Sequence, residues 1–191
     1  MESLGYDPNA IRVHGGLLIN PFTLTPAQAL QVDYAHSLSM VNRFNGHSRY
    51  PYSVGQHVIT LYYHVPEHLK KAALIHDNSE VFFNDIASPV KAKLTEYKVH
   101  EQRCMNAIAE AFEVSLADLN ELKQYDHRLY KDESEHLHYK IDKLGRGDDQ
   151  VALGVRKGWL EEKQWRSVRS QLRALYGLEF DDRGYWPWKY A

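Results

Sequence analysis

The chain is poor in cysteine and has no long apolar run. Its 191 residues include one cysteine, Cys104, which excludes a disulfide within the chain and is typical of proteins from a reducing cytosol. No segment approaches the roughly 20 apolar residues of a membrane-spanning helix, and the first residues lack the basic and apolar regions of a secretion signal. We therefore expect a soluble cytoplasmic protein with no membrane partner.

An excess of charge of either sign is also missing. The chain has 23 basic and 25 acidic residues and a formal net charge of −2. This balance provides no extended positive field that could hold long nucleic acid, so an anionic partner would have to be bound by a local group of residues. No internal repeat is present, and the length favours one compact domain over residues 1–191.

Helix signals dominate what is present. Thr25 followed by Pro26 predicts a helix start and a helix over about 26–42. Ser53 and Gln56 have the spacing of a capping box, which predicts a second helix that carries His57. Further helices are predicted from apolar periodicity over about 67–83, 96–113, 117–140, 148–157 and 161–176.

Two segments at the ends of the chain differ from this helical pattern. Residues 13–24 combine a Gly-Gly pair with a short apolar run, which favours a strand or a small hairpin. The aromatic run at 185–190, within the C-terminal part 148–191, is expected to pack on the body of the chain or, alternatively, on another subunit of a homo-oligomer. The sequence thus predicts an all-α helical bundle with at most a small N-terminal β-hairpin.

The adjacent residues His76 and Asp77 are the first indication of a functional site. They follow the apolar run 72–75, which should bring both side chains into the interior, where an imidazole and a carboxylate need partners. A divalent metal is a partner for both, and His57 and Asp126 are the candidates for two more ligands from other helices. Mixed nitrogen and oxygen ligation favours one transition ion (Zn, Co or Mn) over Mg.

Glu80 lies four residues after His76 and so shares its helical face, where it could act as a general base toward water. Asp85 could orient that water or receive its proton. Purely structural roles are the alternatives for these residues. A buried polar network would explain His76 and Asp77 without a metal, and a solvated helix face would explain Asp126.

Four segments, in this order, carry a resemblance to a known family. They are residues 43–49 (RFNGHSR), 52–57 (YSVGQH), 73–80 (ALIHDNSE) and 85–91 (DIASPVK). Together they resemble the HD-domain metal-dependent phosphohydrolases, and they are most similar to the branch of bacterial 5′-deoxynucleotidases and phage dATP triphosphohydrolases. The ordered match extends over about 35–133.

The resemblance implies a site residue by residue. It implies metal ligation by His57, His76, Asp77 and Asp126, and catalytic roles for Glu80 and Asp85. It also implies that Arg43 binds a substrate phosphate. Three further residues are candidates for substrate binding, namely Phe44, which would line the sugar or base pocket, Arg49 and Lys91. For Arg43 and Arg49, pairing with carboxylates is the alternative.

The expected function is hydrolysis of a 2′-deoxynucleotide phosphate, and dATP triphosphohydrolase is its sharpest form. The alternatives are a 5′-deoxynucleotidase acting on deoxynucleoside monophosphates, a non-catalytic nucleotide-binding module and a helical scaffold with an incidental metal. The chain lacks the GxxxxGK[ST] phosphate loop, so ATP-driven work is not expected. The resemblance also admits a phage-encoded protein that acts in the host cytoplasm.

Overall fold

The computed structural model of the chain describes residues 7–139 and 151–177. Its fold is all-α with one two-stranded β-hairpin near the N-terminus, which confirms the predicted fold class. The aromatic run at 185–190 lies outside the described residues. In the part of the chain that the structure describes, no helix is both long and apolar enough to cross a membrane.

The hairpin pairs β1 (Ile11–Arg12) with β2 (Leu18–Ile19) in antiparallel orientation. Its turn contains Gly15 and Gly16 at φ 95° and 97°, a conformation that glycine adopts without a steric penalty. Of the four strand residues, Ile19 is the one buried in the core. The predicted strand or hairpin is therefore present, with strands that begin earlier and end sooner than the segment 13–24.

The remaining elements of regular structure among the described residues are helices. They are α1 (Pro26–Ala29), α2 (Tyr34–Leu38), α3 (Val54–His64), α4 (Lys70–Ile75), α5 (Glu80–Phe83), α6 (Ser88–Lys91), α7 (Thr95–Ala111), α8 (Leu116–Leu137), α9 (Lys157–Leu160) and α10 (Trp165–Leu175). The helices predicted at 96–113, 117–140 and 161–176 correspond to α7, α8 and α10.

The single helix predicted over 26–42 is wrong, because α1 ends at Ala29 and α2 begins after Asp33. The Asp33 side chain accepts a hydrogen bond from the His36 amide at 3.0 Å and so caps α2. It also forms a buried ion pair with Arg173 of α10. Arg173, which is distant in sequence, thus holds Asp33 at the start of α2. The residues around Asp33 do not indicate this partner.

The continuous helix predicted over 67–83 is also wrong. The helix α4 ends at Ile75, residues 76–79 form a turn, and α5 begins at Glu80. The Ala73 carbonyl, which a continued helix would bond to the next turn, accepts a hydrogen bond from the His76 ring at 2.8 Å. The turn places His76 and Asp77 at the end of a buried apolar run.

The helix predicted over 148–157 does not match residues 151–156, which have no regular secondary structure before α9 begins at Lys157. This segment is tied to α8 by its backbone. Arg128 donates a hydrogen bond to the Val151 carbonyl at 3.0 Å, and Asp132 accepts one from the Gly154 amide at 2.9 Å. These bonds to another element replace the bonds of a local helix.

The helix α3 lies at the centre of the fold, where it packs against α2, α4, α8 and α10. Gly55 permits this packing, because a Cβ at this position would lie 2.8 Å from the Leu172 side chain and 3.0 Å from the Leu38 carbonyl oxygen. Ser53 caps the helix as predicted. The Gln56 side chain does not complete the capping box, since it donates to the carbonyls of Trp159 and Glu161 instead.

Candidate metal centre

His57 reaches the site from α3 and is fully buried. Its Nδ1 lies 2.7 Å from a carboxylate oxygen of Glu133. A carboxylate accepts, so Nδ1 of His57 donates and the neutral ring presents the lone pair of Nε2 on its other side. The helix therefore delivers one imidazole nitrogen in a defined orientation.

His76 presents the same atom from the opposite side. Its Nδ1 donates to the Ala73 carbonyl, which can only accept. Its Nε2 lies 3.2 Å from Nε2 of His57. In the neutral rings these two nitrogens direct lone pairs toward each other, which is unfavourable unless a positive charge lies between or beside them.

Asp126 joins the two histidines from α8. Its Oδ1 lies 3.1 Å from Nε2 of His57, and the three residues each offer one donor atom within 4.8 Å of the others. An ion with bonds of about 2.0–2.2 Å to nitrogen and oxygen holds neighbouring ligand atoms about 3.0–3.5 Å apart. The observed separations fit that requirement, and three of the four predicted ligands meet in one cluster.

Asp77 lies beside this cluster. Its Oδ2 is 3.2 Å from Nε2 of His76 and 3.7 Å from Nε2 of His57. This oxygen is buried and makes no hydrogen bond among the residues that the structure describes. Burial opposes a charge on Asp77, but His76, His57 and Arg43 together outweigh burial and lower the pKa of the carboxyl. Asp77 is therefore an ionised donor within reach of the predicted ion.

The electrostatics of the site favour a positive charge at this point. Burial and the charge of Arg43 oppose protonation of His57, yet Glu133 and Asp126 raise its pKa to about 10. Two imidazole nitrogens and two carboxylates form a donor set that suits a divalent transition ion. The residues present thus fit the predicted metal, and its identity stays a prediction.

Glu80 is the first residue of α5 and is 7% exposed. Burial raises the pKa of its carboxyl well above the usual range, and the charges of Asp77 and Asp85 raise it further. Its Oε2 has no hydrogen-bond partner among the described residues. A buried, unpartnered carboxyl beside a candidate metal centre is available to a water or a substrate.

A cavity of about 460 Å³ opens next to these residues, between the centre and the helices α7 and α8. Its lining combines five predicted site residues with polar and apolar groups of both helices. It is formed by His76, Asp77, Ser79, Glu80, Lys91, Glu101, Gln102, Met105, Leu116, Leu119, Asn120, Leu122, Lys123 and Asp126. Its volume lies in the range of about 300–1,000 Å³ that is usual for small-molecule sites.

Two lysines line the cavity. Lys91, a predicted substrate contact, lies on the wall with its amine 2.6 Å from Glu101. Lys123 was not predicted, although it precedes Asp126 by three residues on α8 and so shares its face. That spacing is the signal that would have found it. Both amines can supply positive charge to an anionic ligand.

Arg43 is nearly buried and is paired with carboxylates. One of its guanidinium nitrogens lies 3.1 Å from Glu133 and another lies 3.6 Å from Asp77. This is the carboxylate pairing that was the alternative to phosphate binding, and Arg43 does not line the cavity described above. A phosphate contact of Arg43 stays a prediction.

Phe44 and Asp85 are joined through the backbone. The Phe44 amide donates to Asp85 at 3.3 Å, and Phe44 itself has a φ of 57°, which is rare for an aromatic residue. The Phe44 ring contacts the rings of Tyr130 and His138. Asp85 thus holds a strained turn next to the centre, and its predicted action on water stays a prediction.

Arg49 lies farther from the centre. Its guanidinium donates to the His138 carbonyl and covers the Tyr139 ring at 5.0 Å. It does not line the cavity beside the metal centre. The structure therefore brings Lys91 to the cavity, and does not bring Arg49 there.

Glu133 was absent from the predicted site, where it marked only the end of the matched region. It lies seven residues after Asp126 on α8, so both side chains are on one face of that helix. It is fully buried and contacts three side chains, those of His57, Tyr52 and Arg43. The seven-residue spacing is the signal that could have found it.

No protein-family model matches the chain. A protein of Escherichia coli (strain K12) named "Uncharacterized protein YfdR" is 39% identical over 80 residues, which cover 42% of this chain and 45% of that protein. The chain thus matches less than half of the length of this relative, whose name states no activity. Membership of the HD family stays a prediction that rests on the motifs and on the site.

Proposed function

We propose that the chain is a metal-dependent phosphohydrolase of the HD type that acts on 2′-deoxynucleotide phosphates, and that its sharpest activity is that of a dATP triphosphohydrolase. One observation carries the proposal. The Nε2 atoms of His57 and His76 and a carboxylate oxygen of Asp126 converge beside a cavity that also contains the buried carboxyl of Glu80. Water, a metal and a phosphate could meet at that point.

His57, His76, Asp77 and Asp126 would hold a divalent ion, which would supply positive charge to the phosphate and make water more acidic. Lys91 and Lys123 bind phosphate oxygens along the cavity wall. Glu80, whose ionised form the positive charge of the ion would favour, accepts the proton of the water that attacks phosphorus. The bond from the α-phosphorus to the 5′-oxygen breaks, the 5′-oxygen takes up the proton that Glu80 accepted, and the products are deoxyadenosine and triphosphate.

The size and charge of the site favour a free nucleotide over long nucleic acid. The cavity is lined by four helices, α5 to α8, and by the turn before α5, and its cationic groups are local. We propose that the protein works in the cytoplasm, that of a phage-infected host included. Assembly into a homo-oligomer stays a prediction.

Two other functions use the same residues. A 5′-deoxynucleotidase needs the same metal and the same base, with a monophosphate in the cavity. A non-catalytic nucleotide-binding module would not need Glu80, whose burial without a partner costs stability. That cost favours an enzyme.

The test is a panel of dATP, dGTP, ATP and dAMP with added Mn²⁺, Co²⁺, Zn²⁺ or Mg²⁺, with the products separated by anion exchange. We expect dATP to be cleaved to triphosphate faster than ATP and dGTP, and we expect His76→Ala to be inactive. Release of phosphate from dAMP in place of that reaction would establish the nucleotidase. Nucleotide binding without hydrolysis under any metal would contradict the enzyme.

A further inference from the structure

We infer that Glu133 is a positioning residue that fixes the tautomer and the orientation of His57 toward the metal. The inference rests on the metal centre of the proposed function. Glu133 is fully buried on α8, and its Oε1 lies 2.7 Å from Nδ1 of His57. This places a carboxylate on the side of the imidazole that faces away from the predicted ion.

The direction of the hydrogen bond sets the chemistry of the ring. Because Nδ1 of His57 donates to Glu133, Nε2 keeps its lone pair, and Nε2 is the atom that faces His76 and Asp126. A carboxylate behind a ligating histidine also makes that nitrogen a stronger donor. Glu133 thus acts on the metal through His57 and does not contact the cluster itself.

Two further contacts hold the carboxylate in place. The Tyr52 hydroxyl donates to Oε1 of Glu133 at 3.0 Å, and an Arg43 nitrogen lies 3.1 Å from Oε2. Tyr52 and Glu133 are both fully buried. A buried carboxylate needs a cation and hydrogen bonds, and here Arg43 and Tyr52 provide them. Arg43, which the resemblance assigns to a substrate phosphate, therefore helps to hold Glu133 against His57.

A network of this kind could also serve stability alone, and the test separates the two roles. Glu133→Gln removes the charge behind the ring, and Glu133→Asp keeps the charge but withdraws it from the 2.7 Å contact. The matched controls are Glu135→Gln and Glu135→Asp, because Glu135 is exposed on the same helix. Glu133→Asp keeps an anion opposite Arg43. This variant is therefore expected to fold even if Glu133→Gln does not.

The measurements are the Co²⁺ dissociation constant of each folded variant and the ¹⁵N shifts of the His57 ring in the Zn²⁺-loaded protein. We expect both Glu133 variants to bind Co²⁺ about 10–100-fold more weakly than the wild type. We expect their His57 rings to lose the single Nδ1–H tautomer, and the Glu135 variants to match the wild type in both measurements.

Wild-type Co²⁺ affinity in folded Glu133→Gln and Glu133→Asp would overturn the inference, even if both variants were less stable. A wild-type protein that binds Co²⁺ but hydrolyses no nucleotide would overturn the proposed reaction and leave the role of Glu133 standing. A wild-type protein that binds no metal would overturn the inference together with the metal centre.

Discussion

Asp126 is the candidate metal ligand whose assignment depends most on the fold, because it lies on α8, far along the chain from the two histidines. Its side chain is 38% exposed, and its Oδ1 lies 3.1 Å from Nε2 of His57. Exposure toward the cavity leaves the carboxylate accessible to an ion, and the two histidines reach the same point from within the core.

We therefore predict that Asp126→Asn binds Co²⁺ at least tenfold more weakly than the wild type, because the amide oxygen has no charge to offer the ion. Isothermal titration of the metal-free proteins measures the difference. Glu135→Gln, on the exposed face of the same helix, serves as the control and should bind normally. Equal affinity of Asp126→Asn and the wild type would remove Asp126 from the ligands.

For Glu80, the prediction concerns turnover. Glu80→Gln should preserve the fold and the bound metal while lowering kcat by about 10²–10⁴-fold, because the amide cannot accept a proton from water. Steady-state rates and metal content from the same sample check this. A rate near that of the wild type would show that Glu80 is not the base, and lost metal would make Glu80 a ligand.

At the scale of elements, the centre depends on how closely α3 approaches its neighbours. Gly55 precedes His57 by two residues and lies where α3 meets α2 and α10. A Cβ at Gly55 would meet the Leu172 side chain at 2.8 Å and the Leu38 carbonyl oxygen at 3.0 Å. The backbone oxygen can move away only if α2 shifts, so the absence of a side chain determines the position of α3.

We predict that Gly55→Ala lowers the free energy of unfolding by about 1–3 kcal/mol through overpacking. Urea denaturation followed by circular dichroism measures this. Gly158→Ala is the matched control, because Gly158 lies in the short helix α9 with no heavy atom within 4 Å of its added Cβ. The control should be as stable as the wild type or slightly more stable, and a Gly55→Ala of equal stability would contradict the close packing.

Helix starts with a local cause were predictable from the sequence. Thr25 and Ser53 accept hydrogen bonds from amides three residues later, and a short motif records each cap. The breaks at Asp33 and at His76 were not predictable. Asp33 owes its position to Arg173, 140 residues away, and His76 ends its helix by bonding to a carbonyl with its ring.

The same division applies to the candidate site. His57, His76 and Asp126 could be predicted because their side chains have the chemistry of metal ligands, and the structure brings them together. The spacing from Asp126 places Glu133 on the same face of α8, but its contact with His57 could not be predicted, and neither could the choice between carboxylate and phosphate as the partner of Arg43. Each depends on which side chain lies on the other side of a buried contact. Local sequence contains no record of such contacts.

At the scale of the whole molecule, α3, α8 and the turn after α4 bring nitrogen and oxygen donors to one point beside a cavity. The donors come from the interior, and the cavity opens between α7 and α8. Three candidate ligands, His76, Asp77 and Asp126, therefore also line the cavity, so a bound ion would face a nucleotide there. His57 closes the centre on the side of the core, and Asp126 leaves it accessible on the side of the cavity.

The most direct test of this account is dATP hydrolysis by chelator-treated protein as Co²⁺ is added back in steps. We predict no hydrolysis without the ion and a rate that rises until about one equivalent per chain is bound, as expected for a single centre of mixed nitrogen and oxygen ligands. Hydrolysis that persists in the chelated protein, or that fails to appear at any amount of Co²⁺, would contradict the account.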